Sequence, residues 1–252
     1  MEKISTVIIC LNEEKNIGRC LDSVKDIADE IIVLDSFSTD NTVAIAEEKG
    51  ARVIQETFKG YIQQKNRAIE LATHNYVLSL DADEALDPLL IDSISKAREK
   101  FTSPAYRMNR YSNYCGKFIR HGSWYPDAKI RLFDKRVARW GGTNPHDKIV
   151  LTGEMMFKHL KGNILHYSYK TVSEHVNQNN KFSTVAAEAL FANGKRTNLF
   201  KVFVNPVWAF LLSYIIRAGF LDGLFGLVIA VMIANLTFLK HIKLYLLQQS
   251  TK

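Results

Sequence analysis

The chain has 252 residues, of which 47% are hydrophobic and 11% aromatic, and its formal net charge is +7. This length and apolar content suit one large folded domain with an appendage, and they exclude a disordered chain. The excess of basic residues indicates an anionic partner, such as nucleic acid, a phosphorylated small molecule or an anionic membrane face. A solvated basic surface without a partner also explains the charge.

The first hundred residues alternate between strand patterns and helix patterns. STVIIC is rich in β-branched residues and predicts the first strand, and the runs EIIVLD, ARVIQE and YVLSLDAD predict three more. Helices are predicted after each of the first three strands, and another begins at Pro88. Asn12 is expected to cap the first helix, and Gly50 is expected to follow the end of the second. This alternation predicts a doubly wound, largely parallel α/β sheet.

The composition changes twice after residue 104. Residues 104–170 are rich in aromatic and basic residues. They predict a mixed, partly antiparallel extension of the sheet, with a turn at Asn144-Pro145. A polar helix is expected at residues 171–196. From about residue 199 the chain is mostly apolar, and the run 223–239 lies near the ~20 residues that cross a bilayer.

Polar side chains follow three of the predicted strands at the point where each strand ends. Asn12 and Glu13 follow the first strand, Asp35 ends the second, and Asp81 and Asp83 close the fourth. Ligands of doubly wound sheets bind beyond the carboxyl ends of the strands. We therefore expect these side chains to line one crevice.

The segment LSLDADEAL places Asp81, Asp83 and Glu84 at the end of a buried strand. Unpaired carboxylates this close raise each other's pKa. A divalent cation removes the repulsion, because hard oxygen ligands suit Mg²⁺ or Mn²⁺ bridging to a diphosphate. An acidic turn that caps a helix is the simpler interpretation of an isolated D-x-D. The buried strand and the crevice position favour the metal site.

The segments that follow the first two strands leave some roles open. Asp35 can accept hydrogen bonds from a ribose or a base N–H, whereas Thr39 and Asp40 suit a turn and a helix cap. Glu13 and Glu14 have two possible roles. They contact a nucleotide, or they stabilise the first turn of a helix through its dipole.

Four segments in this order resemble family 2 glycosyltransferases with the GT-A fold: STVIICLNEEKNIGRCLDSV, EIIVLDSFSTDNT, GYIQQKNRAI and YVLSLDADE. Within that family the chain resembles the small bacterial enzymes that add β-linked glucose to the lipopolysaccharide core. The resemblance covers residues 4–100 well and the middle moderately. It implies a Rossmann-like, doubly wound mixed sheet and an inverting, metal-dependent transfer of a hexose. The expected donor is UDP-glucose, and the expected acceptor is a lipopolysaccharide core or another cell-envelope glycan.

The resemblance also implies roles for individual residues. Asp81 is expected to face the ribose or the metal, and Asp83 to bind Mg²⁺ or Mn²⁺ directly. His166 is expected to complete the metal shell, with a structural role as the alternative. The residues expected to bind the UDP-sugar are Leu11, Asn12, Glu13, Asp35, Ser36, Lys65, Asp81, Ala82 and Arg131.

Inverting transfer needs a general base that takes the proton of the acceptor hydroxyl. Asp127, Asp134, Asp147 and Glu154 are the candidates in the second half. Asp147 is preferred, with His146 as an orienting neighbour or substrate contact, because similar enzymes carry a His-Glu or His-Asp pair here. The chain lacks the E-D pair and the Q-x-x-R-W motif of larger relatives, so a capping role for PHD stays open.

The chain is expected to have three segments: a nucleotide-sugar-binding half (1–104), an acceptor-binding and catalytic half of the same domain (105–198), and an apolar helical tail (199–252). The basic middle and the tail predict peripheral or monotopic association with the cytoplasmic face of a bacterial inner membrane. The alternative is a helical pair packed on the domain or in a dimer, and the oligomeric state stays open.

Missing motifs argue against other functions. The chain has no G-x-G-x-R-x-x-P loop of a sugar nucleotidyltransferase, no G-x-x-x-x-G-K-[ST] loop and no G-x-G-x-x-G loop. No known nucleic-acid-binding module is visible, so no nucleic-acid partner is expected. Two alternatives remain. One is a membrane-tethered nucleotide-sugar-binding protein without catalysis, and the other is a transferase acting on a polyprenyl-phosphate or capsule acceptor.

Overall fold

The computed structural model describes residues 1–143, 146–153 and 156–250, except the side chains of Thr143 and His146. The predicted turn at Asn144-Pro145, the candidate base Glu154 and the side chain of His146 therefore lie outside the described residues. The chain divides into two compact units. Unit 1 comprises Met1–Arg110 and Asp127–Tyr167, and unit 2 comprises Tyr111–Pro126 and Ser168–Lys252.

Most of the strands lie in unit 1. The strands are β1 (Ile4–Cys10), β2 (Glu30–Asp35), β3 (Arg52–Gln55), β4 (Tyr76–Asp81), β5 (Glu84–Leu86), β6 (Ala105–Tyr114), β7 (Lys117–Phe118), β8 (Asp127–Asp134), β9 (Ala138–Thr143), β10 (His146–Leu151) and β11 (Lys158–Tyr169). Among the described residues, nine of them form one sheet in the order β3-β2-β1-β4-β8-β6-β11-β5, with β7 paired to β6. The other two, β9 and β10, form an antiparallel ribbon.

The helices alternate with the first strands and then dominate unit 2. They are α1 (Ile17–Val24), α2 (Thr42–Glu48), α3 (Tyr61–Leu71), α4 (Pro88–Ala97), α5 (Val172–Ala192), α6 (Leu199–Leu211) and α7 (Leu224–Gln249). A π-helical turn, Leu212–Ile216, continues α6, and short 3₁₀ turns lie at Gly122–Trp124 and Gly219–Asp222.

The sheet is mixed, as the sequence predicts. β1 pairs in parallel with β2 and β4, whereas β4 pairs antiparallel with β8. In this register Cys10 lies beside Asp35 and Ile9 lies beside Asp81. The two carboxylates therefore flank the carboxyl end of β1, where a doubly wound sheet binds its ligand.

The two faces of the sheet are covered by separate apolar layers. Ile8 of β1 belongs to the same buried cluster as Leu21 of α1, whereas Val7 clusters with Ala68 of α3 and Trp140 of β9. Successive side chains of a strand point to opposite faces. The apolar run in β1 therefore serves both layers, which explains why it does not alternate with polar residues.

Two predicted helix ends have different outcomes. The expectation that Asn12 caps the first helix is wrong, because α1 begins at Ile17 and Asn16 precedes it. Asn12 has a left-handed φ of 56°, and its Oδ1 accepts a hydrogen bond from the Thr39 backbone N–H at 2.8 Å. Gly50, in contrast, has a φ of 79° just after the end of α2, as expected for a C′ glycine.

Unit 2 contains two apolar helical segments. Leu199–Ile216 and Leu224–Gln249 are long and apolar enough to cross a membrane, judged by length and composition alone. They are joined by the elbow, which we define as residues 217–223. Within it Asp222 is buried and accepts backbone hydrogen bonds from Arg120 at 3.1 Å and His121 at 2.8 Å.

Candidate active site

The end of β2 holds a buried carboxylate among neutral donors. Asp35 accepts hydrogen bonds from the Ser38 backbone N–H at 2.8 Å, from Gln55 Nε2 at 2.9 Å and from the Cys10 thiol at 3.4 Å. Burial raises the pKa of Asp35, but the hydrogen bonds from Gln55 and Ser38 outweigh it and hold the pKa below its usual range. Asp35 is therefore ionised, and these contacts include no cation.

The loops after β1 and β2 are bonded to each other. The backbone N–H of Asn12 donates to Ser38 Oγ at 2.8 Å, and that of Glu13 donates to Thr42 Oγ1 at 2.7 Å. Ser36 Oγ accepts from Gln64 Nε2 at 3.2 Å. These bonds fix the loops on which four of the sequence-predicted UDP-sugar contacts lie, and the fifth, Asp35, is the last residue of β2.

Two large apolar side chains remain exposed on these loops. Leu11 is 50% exposed and Phe37 is 53% exposed. Phe37 also has a φ of 64°, which is rare for an aromatic residue. Sequence reasoning named Leu11 but missed Phe37, because nothing in SFSTD shows that the backbone turns there into the left-handed region.

The end of β4 holds a cluster of alternating charges in unit 1. Lys65 Nζ lies 3.0 Å from Asp81 Oδ1 and 2.8 Å from Asp147 Oδ2. Arg131 Nη2 lies 3.2 Å from Asp81 Oδ2. The side chains of Lys65 and Arg131 are almost fully buried, whereas those of Asp81 and Asp147 retain 28% and 20% of their exposure. Lys65 therefore joins the strand-end carboxylate to the predicted base.

A third carboxylate lies beneath this cluster. Glu84 is buried in β5, and its Oε1 lies 2.8 Å from Arg131 Nη2 and 3.6 Å from Arg110 Nη1. Its Oε2 accepts a hydrogen bond from the Asp81 backbone N–H at 3.1 Å. Glu84 thus holds both the backbone of Asp81 and the arginine that binds the Asp81 side chain.

The pKa shifts follow from these pairs. Burial raises the pKa of Asp81, but the charges of Lys65 and Arg131 outweigh it and hold the pKa well below its usual range. Burial likewise raises the pKa of Glu84, but the charges of Arg131 and Arg110 outweigh it, so the pKa lies below its usual range. The protein's own cations therefore relieve the repulsion that the sequence suggested a metal must relieve.

Trp140 lies against the same cations. Lys65 Nζ is 4.3 Å from the centre of a Trp140 ring, and the Arg131 guanidinium carbon is 5.1 Å away. The indole Nε1–H donates to Ser79 Oγ at 3.2 Å. Because Trp140 is only 3% exposed, it packs in the interior and its ring covers the two cations.

Asp83 and His166 form a separate pair at the same edge. Asp83 Oδ2 lies 3.2 Å from His166 Nε2, and the Asp83 carbonyl accepts from the Tyr167 backbone N–H at 2.9 Å. Across the residues described, no group of three or more His, Cys, Asp or Glu side chains is spaced to hold a metal ion. A carboxylate and an imidazole nevertheless fit a Mg²⁺ or Mn²⁺ that takes its other ligands from phosphate oxygens and water.

The other sequence-predicted residues lie in three places. Ala82, between the two aspartates, is buried. Asp127, a candidate base, pairs with Arg110 at 2.8 Å and with Lys129 at 2.9 Å. Asp134 lies beside Tyr76, at the opposite end of β4 from Asp81.

Sequence reasoning missed the roles of Glu84, Arg110 and Arg19. Arg19 stacks on Tyr167, with its guanidinium carbon 3.3 Å from the ring centre. Glu84 was visible as a third acid, but its strand was not predicted. Arg110 lies in the pattern YRMNRY, which indicates a strand without saying which side chain lies beside a carboxylate.

Sequence comparison gives the family of this chain. Residues 5–159 match the profile of the family described as Glycosyl transferase family 2, which covers more than half of the chain. The chain therefore belongs to the family 2 glycosyltransferases, and it is a transferase.

Individual relatives agree with this assignment. The chain is 35% identical over 259 residues to an uncharacterized glycosyltransferase of Rickettsia typhi, covering 97% of this chain and 87% of that one. It is 30% identical over 251 residues to the lipopolysaccharide core biosynthesis glycosyltransferase LpsC of Rhizobium meliloti, covering 96% and 92%.

A solved structure shows a more limited likeness. It is the glucosyl-3-phosphoglycerate synthase of Mycobacterium tuberculosis in complex with Mn²⁺ and UDP-glucose, at 26% identity and a TM-score of 0.38. The superposition covers 44% of each chain. The family assignment therefore rests on the sequence comparisons.

Proposed function

We propose that this chain is an inverting, metal-dependent hexosyltransferase that moves glucose from UDP-glucose to a lipopolysaccharide core or another cell-envelope glycan. The observation that carries the proposal is Lys65, which lies 3.0 Å from Asp81 and 2.8 Å from Asp147. Family membership supports the transfer reaction, and the relative in lipopolysaccharide core biosynthesis supports the acceptor.

The loops after β1 and β2 would bind the uridine. Asp35 is held ionised by neutral donors, so it can accept further hydrogen bonds from ribose hydroxyls or a base N–H. Asn12, Glu13 and Ser36 lie on the two hydrogen-bonded loops next to Asp35. Leu11 precedes Asn12 in the sequence and is exposed. This assigns donor binding to residues 1–104.

Asp83 and His166 would hold Mg²⁺ or Mn²⁺, with Asp81 and Ala82 forming the turn that presents Asp83. When bound, the metal neutralises the diphosphate as it leaves the sugar. Lys65 and Arg131 bring two further positive charges to the same edge. Positive charge fixed beside a leaving diphosphate stabilises the transition state more than the ground state, because negative charge grows there as the bond breaks.

Asp147 would act as the general base, with His146 as its neighbour in sequence. The acceptor hydroxyl oxygen attacks the anomeric carbon from the face opposite UDP. Its proton passes to the Asp147 carboxylate as the carbon–oxygen bond to UDP breaks, and the electron pair of that bond leaves with UDP. Lys65 fixes the position of Asp147 by its 2.8 Å contact. This assigns the base and the acceptor to residues 105–198.

The substitution Asp147→Asn tests the base directly. It keeps the shape of the side chain but removes its basicity, so turnover should fall about 10²- to 10⁴-fold while UDP-glucose binding is retained. UDP release is measured with Mn²⁺ and a lipopolysaccharide-core acceptor, and binding is measured by calorimetry. Asp92→Asn, on the exposed face of α4, is the control and should leave both unchanged. Full activity in Asp147→Asn would contradict the assignment.

Donor and acceptor screens test the substrates. We expect UDP-glucose, among nucleotide-sugars, to give acceptor-dependent UDP release. UDP release only with polyprenyl phosphate or capsule acceptors would change the proposed acceptor but leave the proposed reaction unchanged. No release with any donor, with and without acceptor extract, would favour a nucleotide-sugar-binding protein. We also propose that the chain works at the cytoplasmic face of the inner membrane, where such acceptors are anchored.

A further inference from the structure

The outer side of α6 carries a stripe of exposed apolar residues. They recur at the three- and four-residue spacing of one helix face, and each is between 41% and 72% exposed. The α6 stripe consists of Phe200, Phe203, Val204, Val207, Trp208 and Leu211. Soluble proteins rarely expose a continuous apolar surface of this kind unless it has a partner.

The opposite side of α6 is already occupied by α7. Val202 is fully buried, and Asn205 Nδ2 donates to His241 Nε2 at 2.9 Å. The Thr197 backbone N–H, just before α6, donates to Gln248 Oε1 at 2.6 Å. The start of α6 therefore lies beside the end of α7, and the two helices form an antiparallel hairpin. Most of the α6 stripe faces away from α7, and Phe203, at the edge of the stripe, has its ring centre 6.5 Å from that of Phe238 in α7.

The charges around the α6 stripe have one sign. From residue 189 to residue 252 the sequence has seven Lys or Arg and a single acid, Asp222. That acid is buried and bonded to the backbone of residues 120 and 121. Lys195, Arg196 and Lys201 are exposed near the start of α6, and Arg217 is exposed beyond its end. An apolar face with cations at both ends complements an anionic lipid surface.

A second copy of the chain fits this surface less well. A two-fold interface brings the same patch of both copies together. Whichever way two α6 stripes met, Lys195, Arg196 and Lys201 of one copy would face cations of the other. Like charges held together oppose association, whereas anionic headgroups would neutralise them.

The contacts of α7 argue against a helix that crosses the bilayer. Near its middle, the Met232 carbonyl accepts from Asn179 Nδ2 of α5 at 2.8 Å. Nearer its end, Lys243 Nζ donates to Asn180 Oδ1 and Ser183 Oγ, each at 2.8 Å. A crossing α7 would carry α5 with it, and α5 contains the charged residues Glu174, Lys181 and Glu188. Charges at that depth are costly, so α7 stays on the protein side of the interface.

We infer that unit 2 binds an anionic lipid surface through the α6 stripe, with α6 lying in the plane of the interface and neither apolar helix crossing the bilayer. The inference rests on the membrane location in the proposed function and adds which surface of the chain contacts the lipid. Its test uses lipid binding, so it can hold or fail independently of glycosyl transfer.

Vesicle binding by the full chain tests the partner. The probe is vesicles of phosphatidylcholine with phosphatidylglycerol, compared with phosphatidylcholine alone. The wild type should bind the anionic vesicles, and more weakly at high salt. Phe200→Gln/Trp208→Gln should lower the partition coefficient about a hundredfold, because two large apolar side chains no longer enter the lipid. The control, Leu89→Gln/Val176→Gln, changes apolar residues off the stripe that are 53% and 44% exposed, and it should bind like the wild type.

Tryptophan quenching tests the orientation. Trp208 lies near the middle of the segment 199–216, so an in-plane helix keeps it near the headgroups and a crossing helix puts it at the bilayer centre. Bromines near the headgroup should quench its emission more than bromines at the chain ends. The variant Trp208→Phe shows how much of the quenched emission comes from Trp208. Stronger quenching from the chain ends would overturn the inference. Failure to bind vesicles, or a dimer that the Phe200→Gln/Trp208→Gln variant breaks without any lipid effect, would overturn it too.

Discussion

The ends of β2 and β4 lie on either side of β1, yet the carboxylates there are held in different ways. Asp35 is bonded to the neutral donors of Ser38, Gln55 and Cys10. Asp81 and Glu84 are instead bound by charged side chains, those of Lys65, Arg131 and Arg110. Under the proposed function, the two strand ends would have separate tasks: hydrogen bonding to a neutral nucleoside beside β2, and attraction of a diphosphate beside β4.

The largest expected effect is at the β4 end. Glu84→Ala removes the carboxylate that pairs with two arginines and leaves their charges buried without it. The free energy of unfolding should fall by about 3–5 kcal/mol, measured by urea denaturation. Asp92→Ala is the control, because its pair with Lys96 is exposed and should contribute at most ~1 kcal/mol. A Glu84→Ala loss as small as that of the control would show that the charge cluster is not structural.

A smaller effect is expected at the β2 end. Asp35→Asn keeps the size of the side chain but turns one of its acceptor oxygens into a donor. One neutral donor then loses its partner, which should cost about 1.5–3 kcal/mol in urea denaturation. Asp26→Asn, at an exposed position, should change stability little. If Asp35→Asn were as destabilising as Glu84→Ala, the proposed contrast between the two strand ends would be wrong.

A pH effect should come from unit 2 and not from either strand end. Burial lowers the pKa of His175 to about 4, whereas the unfolded chain has a value near 6.5. Between these values the unfolded state binds a proton that the native state does not, so stability falls as pH falls. The loss from pH 7 to 5.5 should be about 1 kcal/mol by urea denaturation. Most of it should disappear in His175→Gln, because among the described residues of unit 2 the only remaining contribution of this kind comes from His241, whose pKa is also lowered by burial. A loss of unchanged size in His175→Gln would assign the effect to another group.

The sequence predicts the fold well where the signal is local. Each of the first four strands was predicted from a short run of residues, and each is present in the sheet. Asn12 shows the limit of such reasoning. An asparagine before a helix favours a cap, but the 2.8 Å bond from Thr39 comes from a loop 27 residues away and draws Asn12 into a left-handed turn.

The site was predictable as a set of strand ends but not as a charge network. That Asp35 and Asp81 flank β1 follows from the parallel order of the strands. The partners of Asp81 do not, because Arg131 and Lys65 reach it from 50 and 16 residues away. Their positions depend on the pairing of β8 with β4 and on the packing of α3, neither of which a residue pattern specifies. Sequence alone therefore could not show that protein cations neutralise this edge.

The central claim is that the β4 edge binds a metal and a nucleoside diphosphate through Asp83 and His166. Calorimetry of UDP binding with and without Mn²⁺ tests it most directly. The wild type should bind UDP at least about tenfold more tightly with Mn²⁺, and Asp83→Ala should lose that gain while keeping the metal-free affinity. An equal Mn²⁺ effect in both proteins, or none in the wild type, would contradict the account.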